Sequence, residues 1–173
     1  MDSGVAAVIG AAVGVVGTAL AAGVAGLSAQ RQVRAEHRHW RRQLRRDAYS
    51  AFTAKADDLH RTLKEINAEL ALQGADLNAV RERLAATRDV LHGGLADAQA
   101  TVEIEGPEKL ARMAEELTRS LSACVAAIGA AALGRGASDP SVTDPQGARR
   151  RFLDHASSKR AQFVDHARRT IDV

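Results

Sequence analysis

Histidine is the side chain in this sequence best suited to ligate a metal, and four of the six histidines form two spaced pairs. His37 and His39 are two residues apart in a segment predicted to be helical, so their side chains point about 200° apart. His155 and His166 share a helix face, but at about 1.5 Å per residue their eleven-residue spacing separates them by about 16 Å. One metal ion cannot join either pair within a chain. We therefore predict no metal site, with a site between chains left open for the second pair.

The residues that could act as nucleophiles lack the surroundings that catalysis needs. Cys124 is the only cysteine and lies beside Leu121 and Val125 on an apolar helix face, which predicts a buried core residue. Adjacent acids such as Asp57 and Asp58 are typical of a solvated face. The N-terminal glycines are spaced G-x-x-x-G-x-x-G, which is not the dinucleotide fingerprint. We expect neither an enzyme nor a cofactor.

The composition predicts an all-α protein. Proline is rare, glycine is concentrated near the N terminus, and no segment shows the alternation of β-branched and polar residues that marks a strand. The net charge of +3 is unevenly placed, because residues 31–46 carry seven arginines against one glutamate. A basic block beside an apolar segment favours a membrane surface over nucleic acid as its partner.

The apolar segment Val5 to Ala29 is predicted to be a single transmembrane helix, with residues 1–4 as a short extracytoplasmic N terminus. No charged residue occurs from Ser3 to Gln30. At about 1.5 Å per residue, the 25 residues extend about 37 Å, enough to cross a hydrocarbon core of about 30 Å. A cleaved signal peptide is disfavoured because no basic residue precedes the apolar stretch.

The Arg-rich juxtamembrane segment, residues 30–47, sets the orientation. Under the positive-inside rule it lies in the cytoplasm, and the C terminus with it. We expect its basic side chains to bind anionic lipid headgroups and its tryptophan to lie at the membrane interface. DNA phosphates are the less favoured alternative. The predicted membrane-surface residues are Arg31, Arg34, Arg38, Trp40, Arg41, Arg42, Arg45 and Arg46.

Small residues recur every four positions through the predicted span. This small-xxx-small spacing lets two transmembrane helices approach closely, although an Ala/Gly-rich sequence also produces it by chance. We therefore predict self-association through the span, the long cytoplasmic helix, or both. The residues concerned are Ala6, Gly10, Gly14, Thr18, Ala22 and Gly26.

Residues 48–173 are predicted to form a cytoplasmic antiparallel helical bundle or coiled coil. Neither glycine nor proline occurs from Leu27 to Gln73, so the transmembrane helix should continue into a long cytoplasmic helix. Gly74 and Gly106-Pro107 separate the following helices, and residues 134–147 are predicted to be a loop. In the last helix, the repeats RFLDHA and QFVDHA predict that Phe152 and Phe163 both face inward.

Three motifs, RRDAYSAF (45–52), VEIEGPEKLARMAEEL (102–117) and a terminal FVDxAR (163–168), carry a resemblance across most of the chain. In this order, behind an arginine-rich segment, the chain resembles a group of small actinobacterial single-pass membrane proteins. Similarly built proteins on actinomycete mobile plasmids assist the spread of plasmid between cells. The resemblance implies a fold and no site residue, because these are packing motifs.

These observations predict a membrane-anchored, non-catalytic interaction or scaffold protein at the cytoplasmic face of the cell membrane, acting on an unidentified protein partner. One alternative is an accessory protein for plasmid transfer between cells. A second is a membrane-tethered nucleic-acid-binding protein that uses the arginine-rich segment.

Overall fold

A computed structural model describes residue 36 and residues 39–134 and 144–171. The chain divides into two compact units, Met1–Gln43 and Leu44–Val173. In the first unit, residues 36 and 39–43 are described and are helical. The predicted span, 5–29, and its six small residues lie outside the described residues. None of the helices in the described parts combines the length and the hydropathy that a bilayer crossing requires.

The second unit is an all-α bundle, and no strand occurs among its described residues. Helix α1 covers residues 44–69 of this unit. It is followed by α2 (Leu77–Val90), a π-helical turn (Leu91–Leu95), α3 (Ala96–Glu105), α4 (Glu108–Ala132) and α5 (Pro145–Ile171). Helix α2, the π-helical turn (the π-turn) and α3 form one continuous helical rod, which we call the second rod. The bundle therefore consists of four rods: α1, the second rod, α4 and α5.

The helices begin and end where local chemistry requires it. Gly74, with φ at +83°, turns the chain after α1 in a conformation that side-chain-bearing residues rarely adopt. The Asp76 carboxylate then accepts hydrogen bonds from the amides of Asn78 and Ala79, capping α2. Asp144 accepts from the amide of Gly147 at 2.8 Å. Helix α5 therefore begins at Pro145, whereas the loop over 134–147 was predicted to extend to residue 147.

Ion pairs and hydrogen bonds fix the order of the rods around the bundle. Arg83 of α2 contacts Glu65 and Glu69 of α1, and Arg81 donates to the carbonyl of Ala132 at the end of α4. Lys159 of α5 pairs with Glu116 of α4 at 2.7 Å. Helix α5 returns to α1, where Arg160 makes a two-point ion pair with Asp57 and Arg149 donates to Asn67. Each rod is thus antiparallel to its neighbours, as predicted.

The core is almost entirely hydrocarbon, and most of the predicted inward positions are confirmed. The rings of Phe52 and Phe163 meet edge to face with centroids 5.0 Å apart. Two predictions were wrong. Phe152 is 44% exposed and Leu153 is buried in its place. The spacing of Leu77, Val80 and Leu84 predicts that all three face inward, but Leu77 lies on the surface.

The π-turn absorbs one extra residue in the second rod. Leu84, Thr87, Leu91 and Leu95 are all buried, so two consecutive steps of four residues occur on one face. In a straight α-helix, at about 100° per residue, those two steps would rotate the buried face by about 80°. The wider turn at Leu91–Leu95 compensates, so Val80 and Leu84 of α2 and Ala98 and Val102 of α3 are all buried in the same core.

Candidate functional site

The arginine-rich segment is only partly within the described residues. Arg31, Arg34 and Arg38 lie outside them. Trp40, Arg41 and Arg42 belong to the first unit and are exposed. Arg45 and Arg46 belong to the bundle, and there the two neighbouring arginines have different surroundings.

Arg45 is half-buried and contributes to packing. Its Nε donates to the carbonyl oxygen of Glu105 at 2.9 Å, which satisfies one of the open carbonyls at the end of α3. This contact joins the start of α1 to the turn between α3 and α4. The sequence predicts that Arg45 lies at the membrane surface. In the structure, Arg45 also makes this hydrogen bond within the bundle.

Tyr49 lies one turn further along α1, against the same turn of chain. A Cβ added at Gly106 would lie 3.2 Å from the Tyr49 hydroxyl oxygen and 2.6 Å from the carbonyl oxygen of Val102. Glycine is thus required by close approach. The Tyr49 hydroxyl is buried without a hydrogen-bond partner among the described residues, and burial raises its pKa.

Arg46 points instead to a groove between α1 and α5, which we call the α1–α5 groove. Its volume is about 400 Å³. Its apolar surface comes from Ala54 of α1 and from Val164, Ala167 and Ile171 of α5, and Arg46 and Arg168 flank it, one from each helix. The groove lies at the end of the bundle where α1 begins and α5 ends.

Arg46 and Arg168 have no neutralising partner among the described residues, as is also true of other exposed arginines such as Arg150 and Arg151. Both are exposed, and neither takes part in a hydrogen bond or ion pair with any residue of the described ranges. By contrast, Arg160 pairs with Asp57 and Arg169 pairs with Asp165 on the same helix. Two unpaired guanidinium groups beside apolar surface suit an acidic partner that also carries an apolar side chain.

A second surface feature lies at the same end of the bundle, on α3. Ile104 is 79% exposed and stands between Glu103 and Glu105. The helical period indicates this exposure. At about 100° per residue, Ile104 is about 200° from the inward-facing Val102 and cannot share its face. No comparable signal marked the groove, because its two walls are more than a hundred residues apart in sequence.

The described histidines and the cysteine do not come together in one site. His155 is exposed and His166 half-buried, and no group of His, Cys, Asp or Glu within the described ranges could hold a metal ion. The Nε2 atom of His60 lies 3.1 Å from the carbonyl oxygen of Leu153, a contact between helices. Cys124 is buried as predicted, and burial raises the pKa of its thiol to about 11, so it is not a thiolate at neutral pH.

Comparison of the chain with family models, with curated proteins and with solved structures gives no match.

Proposed function

We propose that this protein is a membrane-tethered, non-catalytic helical interaction protein whose bundle acts at the cytoplasmic face of the cell membrane. The segment 5–29 is the anchor in this proposal, and the arginine-rich segment faces anionic headgroups. The bundle presents a binding surface to a protein partner.

The observation that carries the proposal is the α1–α5 groove, where apolar side chains and two unpaired arginines share one open surface. Ion pairs join neighbouring rods, and one of them, between Asp57 and Arg160, lies beside this groove. The buried interior of the described bundle is hydrocarbon apart from Thr87, the Tyr49 hydroxyl and the Cys124 thiol. Burial raises the pKa of both the phenol and the thiol, which favours their protonated, non-nucleophilic forms at neutral pH. A groove that combines apolar side chains with two guanidinium groups is suited to binding a partner.

Anchoring is tested by placing a charge in the middle of the predicted span. An arginine at the centre of a transmembrane helix costs about 2.5–3.5 kcal/mol on insertion scales, comparable to the whole drive for a span of moderate hydropathy. Val16→Arg should therefore move the full chain from the carbonate-resistant membrane fraction to the supernatant. Val16→Leu is the matched control and should leave the chain in the membrane. Equal fractionation of both variants would contradict the anchor.

Orientation has its own measurement. A phosphatase that is active only after secretion, fused after Val173, should be inactive, and a cytoplasmic reporter at the same position should be active. The opposite pattern would overturn the cytoplasmic placement of the bundle.

The groove is tested by reversing the charge of its two arginines, one on α1 and one on α5. Arg46→Glu with Arg168→Glu should reduce capture of the protein's partners from detergent-solubilised membranes. Arg150→Glu with Arg151→Glu, a reversal of equal size at the far end of α5, should leave capture unchanged. Salt-dependent DNA binding by the full chain that is lost only with the first pair would favour the nucleic-acid alternative instead.

A further inference from the structure

The side of the bundle formed by α4 and α5 carries apolar side chains that remain open to solvent. Phe152 of α5 is 44% exposed, although phenylalanine is among the residues most often buried. The adjoining half of α4 has no charged residue from Ser120 to Gly134, and its outer positions are mostly alanine. A surface helix normally carries charges on its outer side, and a helix that is apolar all round is normally enclosed. This half of α4 therefore has the composition of a helix that is covered on its outer side.

One ion pair establishes which residues of α4 and α5 lie side by side. Lys159 Nζ is 2.7 Å from a carboxylate oxygen of Glu116. Seven residues rotate a helix by about 700°, within about 20° of two full turns, so Ala123 and Phe152 lie on the same side of their helices as the ion pair. Because the two helices are antiparallel, Ala123 and Phe152 are also at nearly the same height. The same argument over eleven residues adds one more level, and the whole surface, which we call the α4–α5 face, comprises Glu116, Ala123 and Ala127 of α4 with Lys159, Phe152 and Ala148 of α5.

The α4–α5 face is complementary to itself. Phe152 presents a half-exposed ring on α5, whereas Ala123, at the same height on α4, is small and half-buried. The ion pair adds one charge of each sign, and the side chains of Lys159 and Glu116 remain 27% and 47% exposed. A second α5 laid over this α4 therefore brings a ring to an alanine and an ammonium group to a carboxylate.

We infer that a second copy of this chain docks on the α4–α5 face, with Phe152 of each copy packed between Ala123 and Ala127 of the other. A two-fold axis in front of this face and parallel to the helices places α4 of each copy opposite α5 of its partner, without changing the height of any residue. Lys159 of each copy then faces Glu116 of the other, so the four charges alternate in sign. Helix α1 and the second rod lie on the opposite side of each bundle, so the two α4–α5 faces meet without overlap.

The polar side chains in the middle of the face are compatible with this contact. The Ser120 hydroxyl donates to the carbonyl oxygen of Glu116 at 2.9 Å, so its donor is satisfied within α4. His155 of α5 lies at the height of Ser120 and is exposed, so the serine oxygen of the other copy lies opposite its ring as an acceptor. The contact therefore encloses no carboxylate without a cation, which is the costly case in an interface.

The size of the face suits copies that share one bilayer. From Glu116 to Ala127 it extends about 16 Å, and two helices about 10 Å apart give it an area of about 300 Å² in projection. A standard stable complex buries about 800 Å² per partner. Chains tethered to one membrane need less contact, because the tether raises their local concentration. In this respect the dimer rests on the proposed function, and an axis along the helices leaves α1 of both copies beginning at the same end.

Cross-linking of the full chain in membranes tests the contact directly. In a Cys124→Ala background, chains carrying Ala127→Cys and differently tagged chains carrying Ala148→Cys should be joined by a short bis-maleimide, because these positions face each other across the axis. Ala86→Cys is the matched control, since Ala86 is an exposed alanine that lines the groove between α1 and α2 on the opposite side of the bundle. Equal joining of Ala86→Cys and Ala127→Cys to Ala148→Cys would overturn the inference, and so would joining of Ala148→Cys to a different protein in place of Ala127→Cys.

A charge exchange within one chain tests the pairing of Lys159 with Glu116 across the contact. The double variant Glu116→Lys with Lys159→Glu keeps an ion pair inside each chain and should self-associate as the wild type does. Mixed with the wild type, it sets like charges opposite each other at both points, so mixed dimers should fall below the half expected for random pairing of equal amounts. Energy transfer between differently labelled chains in vesicles measures this ratio, and random mixing contradicts the arrangement.

The ring of Phe152 is tested in the same vesicles. Phe152→Ala should raise the chain density needed for half-maximal energy transfer at least about tenfold, because each dimer buries two of these rings. Leu72→Ala is the control, since Leu72 is an exposed apolar residue beyond the end of α1 and should have no effect. Circular dichroism verifies that both variants keep their helices. An unchanged density for a folded Phe152→Ala chain would exclude the ring from the contact.

Failure of the dimer and failure of the proposed function give different results. If the wild-type chain fractionates with membranes but Ala127→Cys and Ala148→Cys are not joined, the dimer is wrong and the anchor stands. If the two positions are joined in a chain found in the supernatant, the dimer stands and the anchor is wrong.

Discussion

The Nζ atom of Lys55 donates a hydrogen bond to the carbonyl oxygen of Gly94 at 2.8 Å, within the π-turn of the second rod. A π-turn interrupts the regular pairing of amides and carbonyls along a helix, and here a side chain from α1 binds one of its carbonyls. The turn that accommodates the extra residue of the second rod is thus stabilised by a hydrogen bond from the neighbouring helix α1.

We expect the two glycines of this turn to respond differently to alanine. Gly93→Ala should raise the free energy of unfolding by up to about 1 kcal/mol, because nothing lies near the added methyl group and alanine favours helix. Gly94→Ala should give a smaller gain, because its Cβ would lie 3.3 Å from Lys55 Nζ. Urea unfolding followed by circular dichroism measures both. A larger gain for Gly94→Ala would contradict the geometry of this contact.

Gly106→Ala should be strongly destabilising, although the φ angle of Gly106, −93°, is open to alanine. The added methyl group would meet the carbonyl of Val102 and the ring and hydroxyl of Tyr49, so the turn between α3 and α4 must move. Overpacking of this kind costs about 1–3 kcal/mol. The same urea titration checks it, with Gly93→Ala as the comparison, and an unchanged midpoint would exclude this close approach.

The two phenylalanines of the α5 repeat should differ in their contribution to stability. Phe163 is fully buried against Phe52 and Tyr49, so Phe163→Ala should cost about 3–5 kcal/mol. Phe152→Ala removes a half-exposed ring and should cost much less. Thermal unfolding of both variants decides this prediction, and equal losses would indicate that the repeat packs as two equivalent units.

Cys124 should make stability fall at alkaline pH. Its thiol has a folded-state pKa of about 11, raised by burial from 9.0, so the unfolded chain loses this proton first as pH rises. The stabilisation is complete below pH 9 and is lost as pH rises towards 11. Cys124→Ala should show a smaller decline over that range in urea titrations at several pH values, and parallel curves would argue against a buried thiol. Maleimide should label the folded wild type only after denaturant is added.

Much of the bundle was predictable because its apolar residues follow the helical period closely. Apolar residues recur at spacings of three and four residues in α1, from Tyr49 to Ile66, and at similar spacings in α4, from Leu110 to Ile128. This period predicts one inward face for each helix, and most of these residues are buried. The start of α5 was also present in the sequence, as Asp144-Pro145, a capping residue followed by a proline suited to the first helical position.

The spacing of apolar residues does not by itself predict which face of the first half of α5 is buried. In a seam of about 3.5 residues per turn, positions ten and eleven residues before Phe163 are displaced by nearly equal angles in opposite directions. Leu153 and Phe152 occupy those positions, and the structure buries Leu153. The groove was less predictable still, because it depends on which helices become neighbours and on which arginines find carboxylates.

The packing of α5 on α1 joins the first and last helices of the bundle. The bundle therefore cannot be completed until α5 has been synthesised. A helix forms within about a microsecond, whereas ribosomes add about 5–20 residues per second. For several seconds of synthesis, α1 is complete but Tyr49 and Phe52 lack the ring of Phe163. A chain released before α5 is made would leave the rings of Tyr49 and Phe52 without that partner, exposing apolar surface of the kind that makes incomplete chains prone to aggregate.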